Sequence, residues 1–156
     1  MRFILNLKKL NKFIHTEHFK LEDIRTVLKL ISNECYIATL DLKDAYFLVN
    51  IHPGSRKYLR FIVDDKLYEF NVLPFGICTA PFIFTKLMKP VISLLRSCRF
   101  ISSTYLDDLF LAGYSYQECI QNIDITRMLL QALGFIINED KSVKVPSKSC
   151  KYLGFE

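Results

Sequence analysis

The tetrapeptide Tyr105-Leu106-Asp107-Asp108 constrains this chain more than any other segment. It stands between Phe100-Ile101-Ser102-Ser103-Thr104 and Leu109-Phe110-Leu111-Ala112. Two apolar-rich runs around so short a polar interval read as the strands of an antiparallel hairpin. Yet aspartate is depleted in strands, and tight hairpin turns favour Asn-Gly or Asp-Gly over Asp-Asp before leucine. Adjacent carboxylates also repel unless positive charge lies between them. A divalent metal would supply it; a solvated turn is the bland alternative. The chain carries its own control for the bland case. Asp64-Asp65 lies between residues 59–63 and 66–70, again strand, turn, strand, and there a solvated turn with Lys66 as counter-charge suffices. What separates Asp107-Asp108 is a second acidic strand end. Tyr36-Ile37-Ala38-Thr39-Leu40 is a buried-strand run that also ends in a carboxylate, Asp41, and two such ends can converge at one edge of a sheet.

With 156 residues the chain has the size of one domain and can bury roughly 68–70% of its extended surface. Its 51% apolar and 13% aromatic content excludes disorder. No stretch approaches the ~20 apolar residues of a membrane span. The richest, residues 72–85, is cut by Pro74 and Pro81. Met1-Arg2-Phe3-Ile4-Leu5 is too short for a signal-peptide core. A soluble, intracellular protein that is not secreted and has no membrane partner is expected. The five cysteines (Cys35, Cys78, Cys98, Cys119, Cys150) are odd in number and contain no Cys-x-x-Cys, against both a disulfide framework and a zinc site. His15 and His18 have no second ligand pair nearby. The net charge of +5 is modest, but Lys141, Lys144, Lys148 and Lys151 follow one another with no acid between them, and Arg56, Lys57 and Arg60 form a second cluster. Basic clusters beside aromatics suit phosphate backbones; a solvated face is the default for either alone.

Along the chain, residues 2–14 alternate loosely and read as extended. Ile24, Val27, Leu28 and Ile31 mark a helical stripe, and residues 36–40 a strand. Pro53-Gly54 marks a turn with a short helix through Arg56. The hairpin around Asp64-Asp65 and the segment Leu73-Pro74-Phe75-Gly76 follow. A helix starts at Ala80-Pro81, where proline's missing N–H costs nothing, and runs through Leu95 with Pro90 inside it. A further helix spans residues 116–133 and is stopped by Gly134. Short strands at 135–137, 142–145 and 151–155 close the chain. The fold class is α+β, an antiparallel sheet with helices packed on one face.

Taken in order, these segments resemble the palm and part of the fingers of a reverse transcriptase, a right-hand polymerase, across residues 1–156. Leu40-Asp41-Leu42-Lys43-Asp44-Ala45-Tyr46-Phe47 looks like the first catalytic-carboxylate motif. Leu73-Pro74-Phe75-Gly76-Ile77-Cys78-Thr79-Ala80-Pro81-Phe82-Ile83-Phe84 looks like the template- and nucleotide-contacting motif. Tyr105-Leu106-Asp107-Asp108 looks like the second carboxylate motif. Leu133-Gly134-Phe135 with Asn138 and Lys141 resembles the next, and Tyr152-Leu153-Gly154-Phe155 the primer-grip hairpin. One acidic pair is weak; five motifs in order are strong. His52-Pro53-Gly54-Ser55-Arg56-Lys57-Tyr58-Leu59-Arg60-Phe61 and the Leu-Pro-Phe-Gly form of the second motif look like LTR-type retrotransposons, most like the tyrosine-recombinase (DIRS-like) group. A pararetrovirus-like or other LTR element is the alternative.

The resemblance implies RNA-directed and DNA-directed DNA synthesis by two-metal nucleotidyl transfer from a dNTP to a primer 3′-hydroxyl. Asp41 and Asp107 would hold two Mg²⁺ ions, replaceable by Mn²⁺, with Asp108 completing the acidic cluster. Lys141 is the candidate general acid for the leaving pyrophosphate, with a plain electrostatic role as its alternative. Backbone amides near Asp44 and Ala45 would hold the triphosphate, and Arg2 would clamp it or stand as a surface cation. Tyr46 would exclude a ribose 2′-hydroxyl or serve as a core tyrosine. Phe75 and Gly76 would border the nucleotide pocket, while Leu106, Tyr152, Leu153 and Gly154 would contact the primer.

Within the same resemblance the chain opens at Met1-Arg2 inside the fingers pattern and stops at Glu156 in the primer grip. Thumb and RNase H are then expected elsewhere in a longer polyprotein. Two readings remain open: a polymerase core for primed RNA or DNA templates, or an inert retroelement remnant that binds nucleic acid weakly. An unrelated two-metal nuclease explains neither residues 73–84 nor 152–155.

Overall fold

Ala38, Leu40 and Leu42 alternate with less buried neighbours, and all three are buried along one strand. That period-two pattern is what a strand with one face on a core requires. The strand is β1 (Tyr36–Lys43) of a computed structural model that describes residues 5–32 and 34–155. In chain order the helices are α1 (Lys8–Asn11), α2 (Ile24–Leu30), α3 (Pro53–Arg56), α4 (Ala80–Ser97) and α5 (Tyr116–Ala132). The strands after β1 are β2 (Arg60–Val63), β3 (Lys66–Glu69), β4 (Ile101–Tyr105), β5 (Asp108–Gly113), β6 (Ile136–Ile137) and β7 (Val143–Ser147). The chain divides into two units, Met1–Phe19 with Asp44–Phe84 and Lys20–Lys43 with Thr85–Glu156.

The second unit carries an antiparallel sheet in the order β4-β5-β1-β6, with β7 also paired to β1. Both faces of the β4–β5 hairpin are covered. Facing α5, the buried Asn122 donates from Nδ2 to the carbonyls of Ile101 and Ala112, at 2.9 and 3.0 Å. A Cβ on Gly113 would lie 2.4 Å from the Cys119 backbone nitrogen, so only glycine lets this helix approach so closely. On the other face Phe110 and Ala112 pack with Val27 of α2, Cys35 and Tyr152. The α+β class with its antiparallel sheet is as expected, and α2 adds cover to the face opposite α5.

Helix ends follow their sequence signals. Ser115 Oγ accepts from the Glu118 N–H at 3.1 Å while Glu118 Oε2 accepts from the Tyr114 N–H at 2.8 Å, a reciprocal cap at the start of α5. Gly134, at φ 88°, ends α5, with the Phe135 N–H returning to the Leu130 carbonyl at 2.9 Å.

The first unit gathers Leu7, Leu59, Leu73, Ile77 and Ala80 into a core. Two expectations fail. Residues 8–11 are a turn of helix, not extended chain, because Leu7 and Leu10, three apart, both turn into this core. Residues 151–155 form a tight turn instead of a strand: Tyr152 and Phe155 exchange backbone hydrogen bonds at 2.8 and 2.9 Å around Leu153 and Gly154, at φ 51° and 82°. Both central residues at positive φ make it a hairpin apex of type I′ character.

Candidate active site

The site is built where β1 meets β5. Their register pairs Asp41 directly with Asp108, and the Leu42 N–H donates to the Asp107 carbonyl at 2.8 Å. Pairing continues past Leu40 to Lys43 because β5 holds one edge of β1 and β6 the other. Asp107 occupies the two-residue turn between Tyr105 and Asp108, which are themselves paired. Leu106, first in that turn, sits at φ 55°, a left-handed conformation unfavourable for a branched apolar side chain. The turn is thus held by the strands around it rather than by its own preference.

Electrostatics mark the spot. Asp108's carboxyl is held above its usual range, first by burial and then by the charges of Asp107 and Asp41; Lys141 pulls the other way. When protonated, Asp108 hydrogen-bonds Asp41. Negative charge is in excess here, and a dication would offset it. As the side chains stand, no three His, Cys, Asp or Glu residues among those described are gathered around one ion position. Asp41 and Asp108 are the close pair, and hard carboxylate oxygens of this kind suit Mg²⁺ or Mn²⁺.

Asp41 is held from three sides by the segment after β6. Its side-chain Oδ1 accepts from Asn138 Nδ2 at 2.8 Å. Its carbonyl accepts from the Asn138 N–H at 2.8 Å, and its own N–H donates to Ser142 Oγ at 3.1 Å. Lys141, in the same segment, brings Nζ to 4.0 Å from Asp41 Oδ2, and its side chain is largely exposed. Asn138 has a place in the motif pattern, but neither its bond to Asp41 nor Ser142 is foreseeable from sequence, where Asn and Ser in a turn are ordinary.

Of the remaining residues of this unit, Tyr152 reaches Asp108. Tyr152 is buried, packs its ring 5.3 Å from that of Phe110 and donates its O–H to the Asp108 carbonyl at 3.3 Å. Burial, then the Asp108 charge, pushes its phenol well up from the usual value. Leu153 and Gly154 form the adjoining turn, and a Cβ on Gly154 would meet nothing within 4 Å.

Asp44, Ala45, Tyr46, Phe75 and Gly76 belong to the first unit. Asp44, at φ 50°, turns the chain sharply, and the Phe47 N–H closes on its carbonyl at 2.9 Å. Ala45 is buried. The Tyr46 ring lies 5.2 Å from Phe75 and 5.1 Å, edge-on, from Phe84. Gly76, at φ 100°, is exposed, and a Cβ there would sit 3.2 Å from the Leu5 carbonyl. Asn11 straps this turn, donating to the Gly76 carbonyl at 2.8 Å and accepting from the Cys78 N–H at 3.0 Å. Arg2 lies outside the described residues.

Comparison with known proteins matches this arrangement to one family. The model of reverse transcriptase (RNA-dependent DNA polymerase) matches residues 1–156. An enzymatic polyprotein of Soybean chlorotic mottle virus is 29% identical over 99% of this chain and 22% of its own length. The genome polyprotein of Petunia vein clearing virus is 26% identical over 100% of this chain and 7% of its own. A transposon Tf2-3 polyprotein of Schizosaccharomyces pombe is 26% identical over 99% and 11%. The chain therefore spans less than a quarter of the length of these relatives. Among solved structures, the prototype foamy virus protease-reverse transcriptase superposes with a TM-score of 0.75 at 28% identity, over 92% of this chain and 19% of that one. A foamy viral protease-reverse transcriptase in complex with dsDNA reaches a TM-score of 0.84 over 98% and 26%, a likeness of fold at 22% identity. With its whole length matched and its fold shared, the chain belongs to the reverse transcriptase family.

Proposed function

We propose that the chain is the catalytic core of a retroelement DNA polymerase, adding deoxynucleotides to a primer 3′-hydroxyl on an RNA or DNA template. One observation carries this reading: Asp41 faces Asp108 across β1 and β5, with Asp107 in the adjoining turn. Asp41, Asp107 and Asp108 would hold two Mg²⁺ ions, or Mn²⁺ in their place, which when bound stabilise charge on the attacking and leaving oxygens. The raised pKa of Asp108, due first to burial and then to the charges of Asp107 and Asp41, supports such a seat.

The chain's own groups do the rest. Lys141 would hold a proton at Nζ and deliver it to the leaving pyrophosphate. Main-chain amides at Asp44 and Ala45 would bind the triphosphate, with Arg2 as a delocalised clamp. Tyr46, its ring flanked by Phe75 and Phe84, would fill the space a ribose 2′-hydroxyl needs. Phe75 and the side-chain-free Gly76 would border the nucleotide. Leu106 and the turn at Tyr152, Leu153 and Gly154 would seat the primer end, and the Tyr152 bond to the Asp108 carbonyl supports that neighbourhood. The polymerase would draw most of its affinity from phosphate contacts along a long groove. Thumb and RNase H domains of a longer polyprotein would supply part of that groove. Free cysteines throughout the described residues support an intracellular setting. Within the family, residues 52–61 and 73–76 favour the tyrosine-recombinase (DIRS-like) retrotransposons. A recombinase reading frame beside this one in its source element bears that out, and an integrase frame in its place contradicts it.

The test is single-nucleotide extension of a primed RNA template by excess purified chain at low salt with Mg²⁺ or Mn²⁺. Extension by the wild type that Asp107→Asn abolishes supports the proposal. No extension by protein shown to be folded leaves the inert-remnant reading in its place.

A further inference from the structure

The segment carrying Lys141 joins β6 to β7, which both pair with β1, and between those two strands it is tied to Asp41. Three of its hydrogen bonds end on Asp41: from the Asn138 side chain, from the Asn138 N–H, and to Ser142 Oγ. The segment is also closed on itself, because Ser142 donates from Oγ at 2.7 Å and from N at 3.1 Å to the Asn138 carbonyl. A separate set of contacts ties its outer side down. Glu139 takes a two-pronged contact from Arg127 of α5, at 2.8 and 3.0 Å, and another from Lys144 of β7 at 2.8 Å.

Geometry alone gives this arrangement a consequence. An aspartate side chain has two torsions, and the second is soft. The Asn138 amide removes that freedom by fixing Oδ1, which leaves Oδ2 as the oxygen turned to Lys141 at 4.0 Å. We infer that Asn138, seconded by Ser142, is a positioning residue: it presets the Asp41 carboxylate for a divalent cation and couples it to the backbone that carries Lys141. This rests on the reading of Asp41 as a metal-holding carboxylate. Partners one step removed from a metal usually account for about 10–100-fold in affinity or activity when they orient its ligand. Glu139 braces the same segment through hydrogen bonds to Arg127 and Lys144, so it serves as the built-in control.

The inference is tested without nucleotide or primer, by Mn²⁺ titration of the full 156-residue chain followed by electron paramagnetic resonance. Asn138→Leu, similar in size but without a donor, is expected to weaken binding about tenfold or more. Glu139→Gln is expected to stay within about twofold of wild type, as for a surface ion pair. Should Asn138→Leu fold poorly, Asn138→Ser takes its place in the titration. The Asn138 side-chain amide resonance of the wild type gives a further readout and is expected to shift as Mg²⁺ is added. Asn138 variants that bind Mn²⁺ as wild type does, or an amide signal indifferent to Mg²⁺, overturn the inference. An Asp41→Asn variant is titrated alongside. If it too binds as wild type, the metal-holding reading of Asp41 is what has failed, and the inference falls with it.

Discussion

Two hairpins in this chain carry the same dipeptide, and they use it differently. In β2–β3 the pair Asp64-Asp65 is the whole turn: Val63 pairs with Lys66, and the two aspartates take φ 49° and 60°. Asp is among the residues that tolerate this type I′ conformation, and both side chains are exposed. In β4–β5 the pair is displaced by one residue. Leu106 takes the left-handed position, Asp107 completes the turn, and Asp108 enters the ladder opposite Asp41. A shift of one residue thus decides whether an acidic pair caps a solvated ribbon or gathers carboxylates at a half-buried strand end. The first hairpin suits its sequence locally. The second goes against local preference at Leu106 and at Asp108, and conflict of that kind concentrates at functional sites.

The contrast in burial gives the largest expected difference in stability. Leu111 of β5 is fully buried, whereas Ile62 of β2 is 70% exposed. Leu111→Ala is expected to cost about 2–5 kcal/mol, and Ile62→Ala less than about 0.5 kcal/mol, by urea denaturation. Equal costs would mean that the two hairpins are equally integrated.

Charge comes next. A carboxyl whose folded pKa is raised takes up protons on folding, so its contribution to stability falls as pH rises from the unfolded value through the folded one. Asp108 is such a group, and Asp108→Asn removes it. Without divalent cations the variant is expected to melt above wild type at pH 7, the two converging toward about pH 4. Asp65→Asn is expected to move Tm little at either pH. A wild type that melts as high as Asp108→Asn at pH 7 would contradict the account of excess charge at this strand end.

The turns themselves give the smallest effects. Leu106→Gly relieves a left-handed leucine and is expected to stabilise the fold by up to about 1 kcal/mol, even if it impairs primer contact. Asp65→Gly creates the Asp-Gly pair that type I′ turns favour, for a gain of a few tenths of a kcal/mol at most, about 0.3. A loss at Leu106→Gly, read by thermal melting, would show that the side chain matters more to the fold than the backbone does.

Much of this was legible in the sequence because it is local. The stripe of α2, the proline near the start of α4, the Gly134 stop and the alternation around both acidic pairs each depend on neighbours a few residues away. What was hidden depends on distant partners. The helical turn at residues 8–11 forms because Leu7 and Leu10 have a core to enter. Residues 151–155 become a turn because Tyr152 pairs with Phe155 and sinks against Phe110. Asn138 and Ser142 were hidden for the same reason: the bonds that matter run to Asp41, about a hundred positions away, and no spacing rule announces them. The acidic constellation was legible as a convergence of strand ends, but the pairing of Asp41 with Asp108 took the register of β1 on β5 to establish.

The most direct measurement sets the two acidic pairs against each other in one assay, single-nucleotide extension of a primed RNA template with Mg²⁺. Asp107→Asn is expected to lower the rate by about a thousandfold or more, equivalent to roughly 4 kcal/mol of charge stabilisation, while Asp65→Asn stays within about twofold of wild type. Comparable losses at the two sites, or an Asp107→Asn variant that extends as wild type does, would contradict the claim that the end of β1 and β5 is where this chain does its chemistry.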